Sequence, residues 1–250
     1  MLIRTDEQAD IGTPTGEMRV HLARPTAEGR FAAIVLYSEI YQITDPIRRL
    51  AAQLAGEGFL VAMPEVYHEH EPPGTVLAYD TPGTERGNAL KFVKPATAHD
   101  TDARALFDWL EAHPACTGAL GTFGVCLGGH LALRASLDPR VRAAVCFYPT
   151  DLHTRTLGRD AGGDDTMARI DELRGEAMLV FGRQDPHVPF AGRSAIRERL
   201  EEAGRSYTWF EVNAQHAFLR DGAPRFDAAL ARLSMGWALA HLSRWLTPPR

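Results

Sequence analysis

Cys126 is the side chain best suited to chemistry, and it lies in the glycine-rich stretch 121–130, GTFGVCLGGH. The residues before it form an apolar run that predicts a buried strand, and the residues after it follow a helical spacing. The cysteine therefore occupies a strand-to-helix turn, in the frame Gly124-Val-Cys126-Leu-Gly128. This is the nucleophile-elbow pattern G-x-S-x-G with cysteine in place of serine. The beginning of a helix favours a thiolate, so the pattern predicts a nucleophile, with a buried structural cysteine as the alternative.

A cysteine nucleophile needs a base that takes its proton and an acid that orients the base. Asp185 follows the apolar run that ends at Gly182, and His216 follows the run that ends at Val212. Because the carboxyl ends of parallel strands meet at one edge of a sheet, we expect both side chains near Cys126. Taken singly, the aspartate suits a turn and the histidine a solvated loop. Their order after the cysteine favours a Cys126–Asp185–His216 triad.

Acyl transfer also requires backbone N–H groups that stabilise an oxyanion. The amide of Leu127, directly after the cysteine, is one candidate. The second is expected from the loop after the first core strand, near Ile40.

Strand and helix patterns alternate along most of the chain. Short apolar runs, typical of strands covered on both faces, predict strands at 31–37, 59–63, 119–125, 141–148, 177–181 and 207–212. Apolar residues at helical spacing predict helices over 46–55, 97–109, 131–137, 191–203 and 226–246, and weak alternation predicts a hairpin over 9–23. The alternation indicates an α/β fold, with a mostly parallel sheet flanked by helices on both faces.

Residues 65–95 interrupt this alternation. They are rich in Pro, Gly, His and acidic residues and show little periodicity, so we predict an irregular excursion over the edge of the sheet that carries the active site. No repeat, low-complexity run or composition break marks a linker, and we expect a single domain over residues 1–250.

The composition narrows the class of partner and the compartment. A net charge of −5 and a pI near 6.1 argue against nucleic acid or an anionic membrane as the main partner. The acidic start does not match a signal peptide, and no run has the length that spans a bilayer. Three irregularly spaced cysteines do not suggest a disulfide framework. We therefore expect a cytoplasmic, reduced protein, which suits a free thiol.

With these motifs in place, the sequence resembles the dienelactone hydrolases (carboxymethylenebutenolidases) of the α/β-hydrolase fold. The resemblance covers residues 10–245, and the cysteine elbow makes it specific because most relatives of the fold use serine. Four segments carry it: 38–41 (SEIY), 124–129 (GVCLGG), 182–189 (GRQDPHVP) and 216–220 (HAFLR).

The resemblance implies roles for three more residues. Glu39 matches a glutamate that holds the cysteine as a thiol until substrate arrives, which protects the thiolate from oxidation. Arg220 matches an arginine that binds the carboxylate of a lactone substrate, and Arg86 is the best candidate for a second. From the residues alone, Glu39 also suits a solvated loop and both arginines suit an exposed surface.

This sequence departs from the family pattern near the expected pocket. Leu90 stands where the family has a tyrosine, and Tyr41 and Gln42 replace a phenylalanine and a glycine. The departures leave the natural substrate open.

Three alternatives compete with a cysteine hydrolase: a metal site, a thiol redox protein and a non-catalytic binding protein. The run His68-Glu69-His70-Glu71 invites a metal site, but the spacing favours no third ligand, and we expect no metal and no cofactor. A thiol redox protein would need a resolving cysteine near Cys126, and Cys146 lies within an apolar strand. A non-catalytic binding protein would be expected to lack a triad member. The sequence therefore predicts a cysteine-dependent hydrolase that opens a lactone or cleaves a small ester through a thioester, and the resemblance implies that the substrate is anionic. The alternatives are a hydrolase of the same fold that acts on a different ester, or a thiol redox or binding protein on this scaffold.

Overall fold

The structure, a computed structural model, describes residues 1–247; the last three residues of the expected domain lie outside the described part. One sheet of eight strands forms its centre: β1 Ile3–Thr13, β2 Gly16–Pro25, β3 Phe31–Tyr37, β4 Leu60–Pro64, β5 Cys116–Val125, β6 Val141–Phe147, β7 Glu176–Gly182 and β8 Tyr207–Val212. The strand order is β1-β2-β4-β3-β5-β6-β7-β8. Strands β1 and β2 form an antiparallel hairpin, and β2 also pairs antiparallel with β4. The other five neighbouring pairs are parallel.

Six helices connect and cover the strands within residues 1–247: α1 Asp45–Gly56, α2 Thr81–Val93, α3 Ala96–Ala112, α4 Leu127–Ala135, α5 Phe190–Glu202 and α6 Ala228–Leu246. Helices α1 and α6 pack on one face of the sheet, and α3, α4 and α5 pack on the other. The apolar side chains of β3–β7 are buried on both faces, which is why their sequences are continuous apolar runs. The expected α/β-hydrolase fold is confirmed. No helix in residues 1–247 has the length and apolarity to cross a bilayer.

The expectation of an irregular segment over 65–95 is wrong for its second half, which forms α2. The Asp80 side chain caps this helix by accepting a hydrogen bond from the Gly83 amide at 2.8 Å. An apolar stripe is missing because the helix packs through glycines. A Cβ on Gly83 would lie 2.1 Å from the carbonyl oxygen of Ala78, and one on Gly87 would lie 2.6 Å from that of Ile40. Close backbone packing of this kind leaves no periodic signal in the sequence.

Candidate active site

Cys126 lies at the sharp turn between β5 and α4, with φ 59° and ψ −123°. A side chain in this region costs about 1–3 kcal/mol, a strain found mainly at functional sites. The backbone holds it in place: the Cys126 amide donates to the Phe147 carbonyl at 3.0 Å, and its carbonyl accepts from the Gly129 amide at 3.0 Å. The predicted strand-to-helix elbow is confirmed as a backbone feature.

Close backbone packing leaves no room for a side chain at either glycine of the elbow frame, Gly124 or Gly128. A Cβ on Gly124 would lie 1.8 Å from the carbonyl oxygen of Gly128, and one on Gly128 would lie 2.1 Å from that of Tyr37. The backbone of helix α4 therefore packs directly against the backbones of β3 and β5. As a result, its N-terminus and its unpaired amides lie beside the sulfur.

Asp185 and His216 lie on the loops that follow β7 and β8, at the same edge of the sheet. The Nδ1 of His216 donates to Oδ2 of Asp185 at 2.7 Å, and the other carboxylate oxygen accepts from the His187 amide at 2.8 Å. Both side chains are buried. Because a carboxylate only accepts, this contact fixes the proton on Nδ1 and leaves Nε2 available to exchange a proton.

Two opposing effects act on the pKa of His216. Burial lowers it, but the neighbouring Cys126 thiolate and the Asp185 carboxylate raise it more, to about 10. The imidazolium form is therefore favoured when Cys126 is a thiolate.

Two aromatic rings that the sequence did not assign to the site pack on His216. The ring centroid of His187 lies 4.6 Å away and that of Tyr148 lies 4.9 Å away. Burial lowers the pKa of His187, and a positive charge on His216 lowers it further, which favours the neutral form of His187. His187 lies in the segment 182–189 and Tyr148 directly follows β6, but neither position carries a chemical signal of its own.

Cys126 and His216 open into a cavity of about 370 Å³, which we name the Cys126 cavity. Glu39, Ile40 and Arg220 line it, as the sequence predicts. Other polar lining residues are Tyr41, Thr84, Asn88, Lys91, Thr150, Asp151, Thr154, Thr156, His187 and Arg225. The volume suits a small molecule, and the mixture of both charges with hydroxyl groups suits a polar one.

Glu39 is buried and held by two partners. The Tyr79 hydroxyl donates to its Oε2 at 2.8 Å, and Arg220 Nη1 lies 3.5 Å from its Oε1. The Arg220 guanidinium also lies over the Tyr79 ring, 4.3 Å from the centroid. Burial lowers the pKa of Arg220, but the charge of Glu39, the neighbouring tyrosines and the contact with Glu39 together outweigh burial and raise the pKa. The sequence interpretation missed Tyr79, which lies forty residues from Glu39 along the chain.

Arg86 does not reach the Cys126 cavity, contrary to its predicted role in substrate binding. Its side chain is half exposed, and its Nε donates to Glu71 at 2.6 Å. The α2 residues that line the cavity are Thr84, Asn88 and Lys91, spaced as one face of a helix. Arg86 lies on another face, which could not be recognised without predicting the helix.

The oxyanion-hole candidates occupy suitable places. Leu127 is the first residue of α4, so its amide has no partner within the helix, and Ile40 belongs to the lining of the Cys126 cavity. Their roles remain predictions.

His68, Glu69 and Asp102 bring their ligating atoms within 4.8 Å of one another. The buried ammonium of Lys94 donates to Glu69 at 2.7 Å and to Asp102 at 2.6 Å. This ammonium pairs with both carboxylates and offsets one of their two negative charges, so the donor set is already occupied by a cationic side chain and does not suit a divalent cation. His70, which the sequence motif includes, is not part of the cluster.

Comparison with known proteins gives the same fold and a family. The model of the dienelactone hydrolase family matches residues 18–244. A Saccharomyces cerevisiae protein, provisionally named carboxymethylenebutenolidase, is 40% identical over 252 residues, covering 96% of this chain and 90% of that protein. The carboxymethylenebutenolidase of Pseudomonas sp. (strain P51) is 25% identical over 233 residues, covering 92% and 91%.

The crystal structure of a Klebsiella pneumoniae protein, provisionally named dienelactone hydrolase, superposes with a TM-score of 0.82 at 21% identity. The match covers 98% of this chain and all of that one, and it shows the shared fold. The family model and the yeast relative decide the assignment, since each extends over nearly the whole sequence. The chain belongs to the dienelactone hydrolase family, whose members are hydrolases that act on esters and lactones.

Proposed function

We propose that this enzyme opens a small anionic lactone, or cleaves a small anionic ester, with Cys126 as nucleophile and a thioester as intermediate. The observation that carries the proposal is the opening of the strained Cys126 elbow into the same cavity as the buried His216–Asp185 pair. This arrangement supplies a nucleophile, a base and an acid that orients the base.

The proposed reaction has two halves. His216 takes the cysteine proton on Nε2, and the sulfur attacks the carbonyl carbon. The amides of Leu127 and Ile40 stabilise the oxyanion. Collapse breaks the C–O bond, and His216 returns the proton to the leaving alkoxide, which stays tethered if the substrate is a lactone. Water then gives a proton to His216 and attacks the thioester, releasing a carboxylic acid and the thiol.

Arg220 supports the preference for an anionic substrate. Its contact with Glu39 is long, and its buried Nε has no hydrogen-bond partner among residues 1–247. A substrate carboxylate competes with Glu39 for this guanidinium. The resemblance implies a different contact, in which Glu39 holds the Cys126 thiol until substrate arrives. Among residues 1–247 the side-chain partners of Glu39 are Tyr79 and Arg220, so we propose that displacement of the Arg220 contact frees Glu39 for this gating role. Cys116, Cys126 and Cys146 are free, and a free nucleophilic thiol suits the reducing cytoplasm.

The test is turnover of a dienelactone and of a panel of small esters by the wild type, Cys126→Ala and His216→Ala. Both variants should lose at least about a hundredfold in kcat, as loss of a nucleophile or its base requires. Cys116→Ala is the matched control, because Cys116 is buried at the opposite end of β5. Mass spectrometry of quenched wild type should detect an acyl adduct on Cys126. Near wild-type rates in both active-site variants would exclude the mechanism.

A second function, hydrolysis of a neutral ester in the same cavity, is tested by the same panel. It would be favoured if neutral and anionic substrates reacted with equal kcat/KM.

A further inference from the structure

A second cavity, of about 280 Å³, adjoins the Cys126 cavity; we name it the apolar cavity. It lies between α1, α6 and the loop that joins β8 to α6. Its walls include the apolar side chains of Ile47, Leu50, Val125, Leu219, Phe226 and Met235. Among the described residues, Glu39 and Arg220 line both cavities. The volume is near the lower end of the range of small-molecule sites, about 300–1,000 Å³.

The polar lining of the apolar cavity carries more positive than negative charge. Arg49 and Asp221 neutralise each other through two hydrogen bonds of 2.6 and 2.8 Å. Arg220 pairs with Glu39 through the 3.5 Å contact. Arg232, an exposed residue at the rim of the cavity, makes no ion pair with any residue in 1–247. Three arginines therefore face two carboxylates, which leaves one positive charge beside an apolar volume.

We propose that the apolar cavity binds a small amphiphilic monocarboxylate, a separate molecule from the substrate that reacts at Cys126. Its hydrocarbon body fills the cavity, and its carboxylate completes the charge balance among the arginines. Apolar walls with few charged groups are typical of sites that fix one polar end of a ligand. Guanidinium groups pair with carboxylates through two parallel bonds.

The shared residues predict that the two cavities are coupled. A carboxylate that binds Arg220 from the apolar cavity withdraws it from the Cys126 cavity, where an anionic substrate needs it. Occupancy should therefore raise KM for anionic substrates. This coupling rests on the proposed function, whereas binding to the apolar cavity does not.

Binding is tested with hexanoate, and with hexanamide as the neutral analogue, by calorimetric titration of the Cys126→Ala protein. Hexanoate should bind at least five times more tightly than hexanamide. Adding Ala231→Trp places a large side chain in the cavity wall and should weaken hexanoate binding at least tenfold. Leu233→Trp, on the exposed side of the same helix, is the matched control and should bind as the parent protein does.

A second variant tests the same cavity in case Ala231→Trp does not fold. Phe226 is 39% exposed, so Phe226→Ala should fold while losing a wall of the cavity, and it should also weaken hexanoate binding. If both variants bind hexanoate as tightly as the control, the acid binds elsewhere and the proposal is wrong. Equal affinity for hexanamide would also overturn it. Failure of the wild type to hydrolyse any ester would refute the proposed function and leave this binding result intact.

Discussion

Arg220 and Glu39 form an incomplete ion pair at the boundary between two cavities. The Nη1–Oε1 distance is 3.5 Å, whereas Tyr79 holds the other carboxylate oxygen at 2.8 Å. The buried Nε of Arg220 has no hydrogen-bond partner within residues 1–247. A guanidinium with an unused buried donor retains capacity for a second carboxylate. The unused donor supports the proposal that a substrate anion binds Arg220.

Replacing Arg220 by glutamine should raise KM for anionic lactones and esters by about ten- to a hundredfold, the equivalent of about 1.5–3 kcal/mol for a charged hydrogen bond. Neutral esters of the same size should change by less than threefold. Steady-state kinetics with matched anionic and neutral substrates measures the difference. An equal rise for both classes would mean that Arg220 supports the fold of the cavity and does not bind a carboxylate.

Arg86→Ala provides the control that the structure suggests. Arg86 pairs with Glu71 outside the Cys126 cavity, and exposed ion pairs contribute about 0–1 kcal/mol. We expect KM to stay within twofold for both substrate classes. A selective loss of anionic substrates in Arg86→Ala would restore the role that the sequence predicts for it.

Tyr79→Phe removes the donor to Glu39 and a second hydrogen bond of the same hydroxyl, to the Thr44 hydroxyl at 2.8 Å, while keeping the ring beneath Arg220. Hydrogen bonds to charged groups contribute about 1.5–3 kcal/mol, and those between neutral groups about 0.5–1.5 kcal/mol. Tyr41→Phe is the control for loss of one neutral hydrogen bond, because within residues 1–247 the Tyr41 hydroxyl bonds only to the Thr84 hydroxyl, also at 2.8 Å. Urea unfolding should show a larger loss of free energy of unfolding for Tyr79→Phe. Equal losses would indicate that Tyr79 does not fix a charged Glu39.

Gly124→Ala should destabilise the protein by about 3 kcal/mol or more, because the new Cβ would lie 1.8 Å from a backbone oxygen that cannot rotate away. Gly236→Ala, in α6, meets nothing within 4 Å and should stabilise by about 0.5–1 kcal/mol through helix propensity. Thermal and urea unfolding of both variants measures the contrast. A Gly124→Ala protein as stable as the wild type would show that the elbow can relax.

Much of this fold follows from sequence pattern, and the exceptions share a cause. The bounds of β3 and β8 match the predicted strands. These strands could be predicted because the burial of a strand determines a local sequence pattern, either alternation or a continuous apolar run. Helix α2 was missed because it packs through Gly83 and Gly87, whose contribution depends on the backbone across from them. The substrate-binding role predicted for Arg86 is also wrong because helix α2 was not predicted, and the helix turns this side chain away from the Cys126 cavity. Contacts such as Tyr79–Glu39 join segments that are distant along the chain, so no local sequence pattern predicts them.

The pKa of His216 provides a pH test of the Cys126–His216 pair. A pKa raised from 6.5 to about 10 in the folded protein stabilises the fold below pH 6.5, and this contribution is lost as pH rises to about 10. Cys126→Ser removes the thiolate, one of the groups that raise the pKa, and leaves the Asp185 contact in place. If the pair is ionised before substrate binds, NMR titration will show His216 deprotonating near pH 10 in the wild type and at lower pH in Cys126→Ser. If Cys126 rests as a thiol, as the gating role of Glu39 requires, the two titrations will coincide in the absence of substrate.

The unfolding free energy should also decline less between pH 6.5 and 10 in Cys126→Ser than in the wild type. Cys116→Ser is the control, since Cys116 lies at the far end of β5 from the elbow and does not contribute to the pKa of His216. Identical His216 titrations in the wild type and Cys126→Ser would exclude an ion pair in the resting enzyme. In that case Asp185 accounts for the raised pKa before substrate binds, and the thiolate forms only when substrate is present.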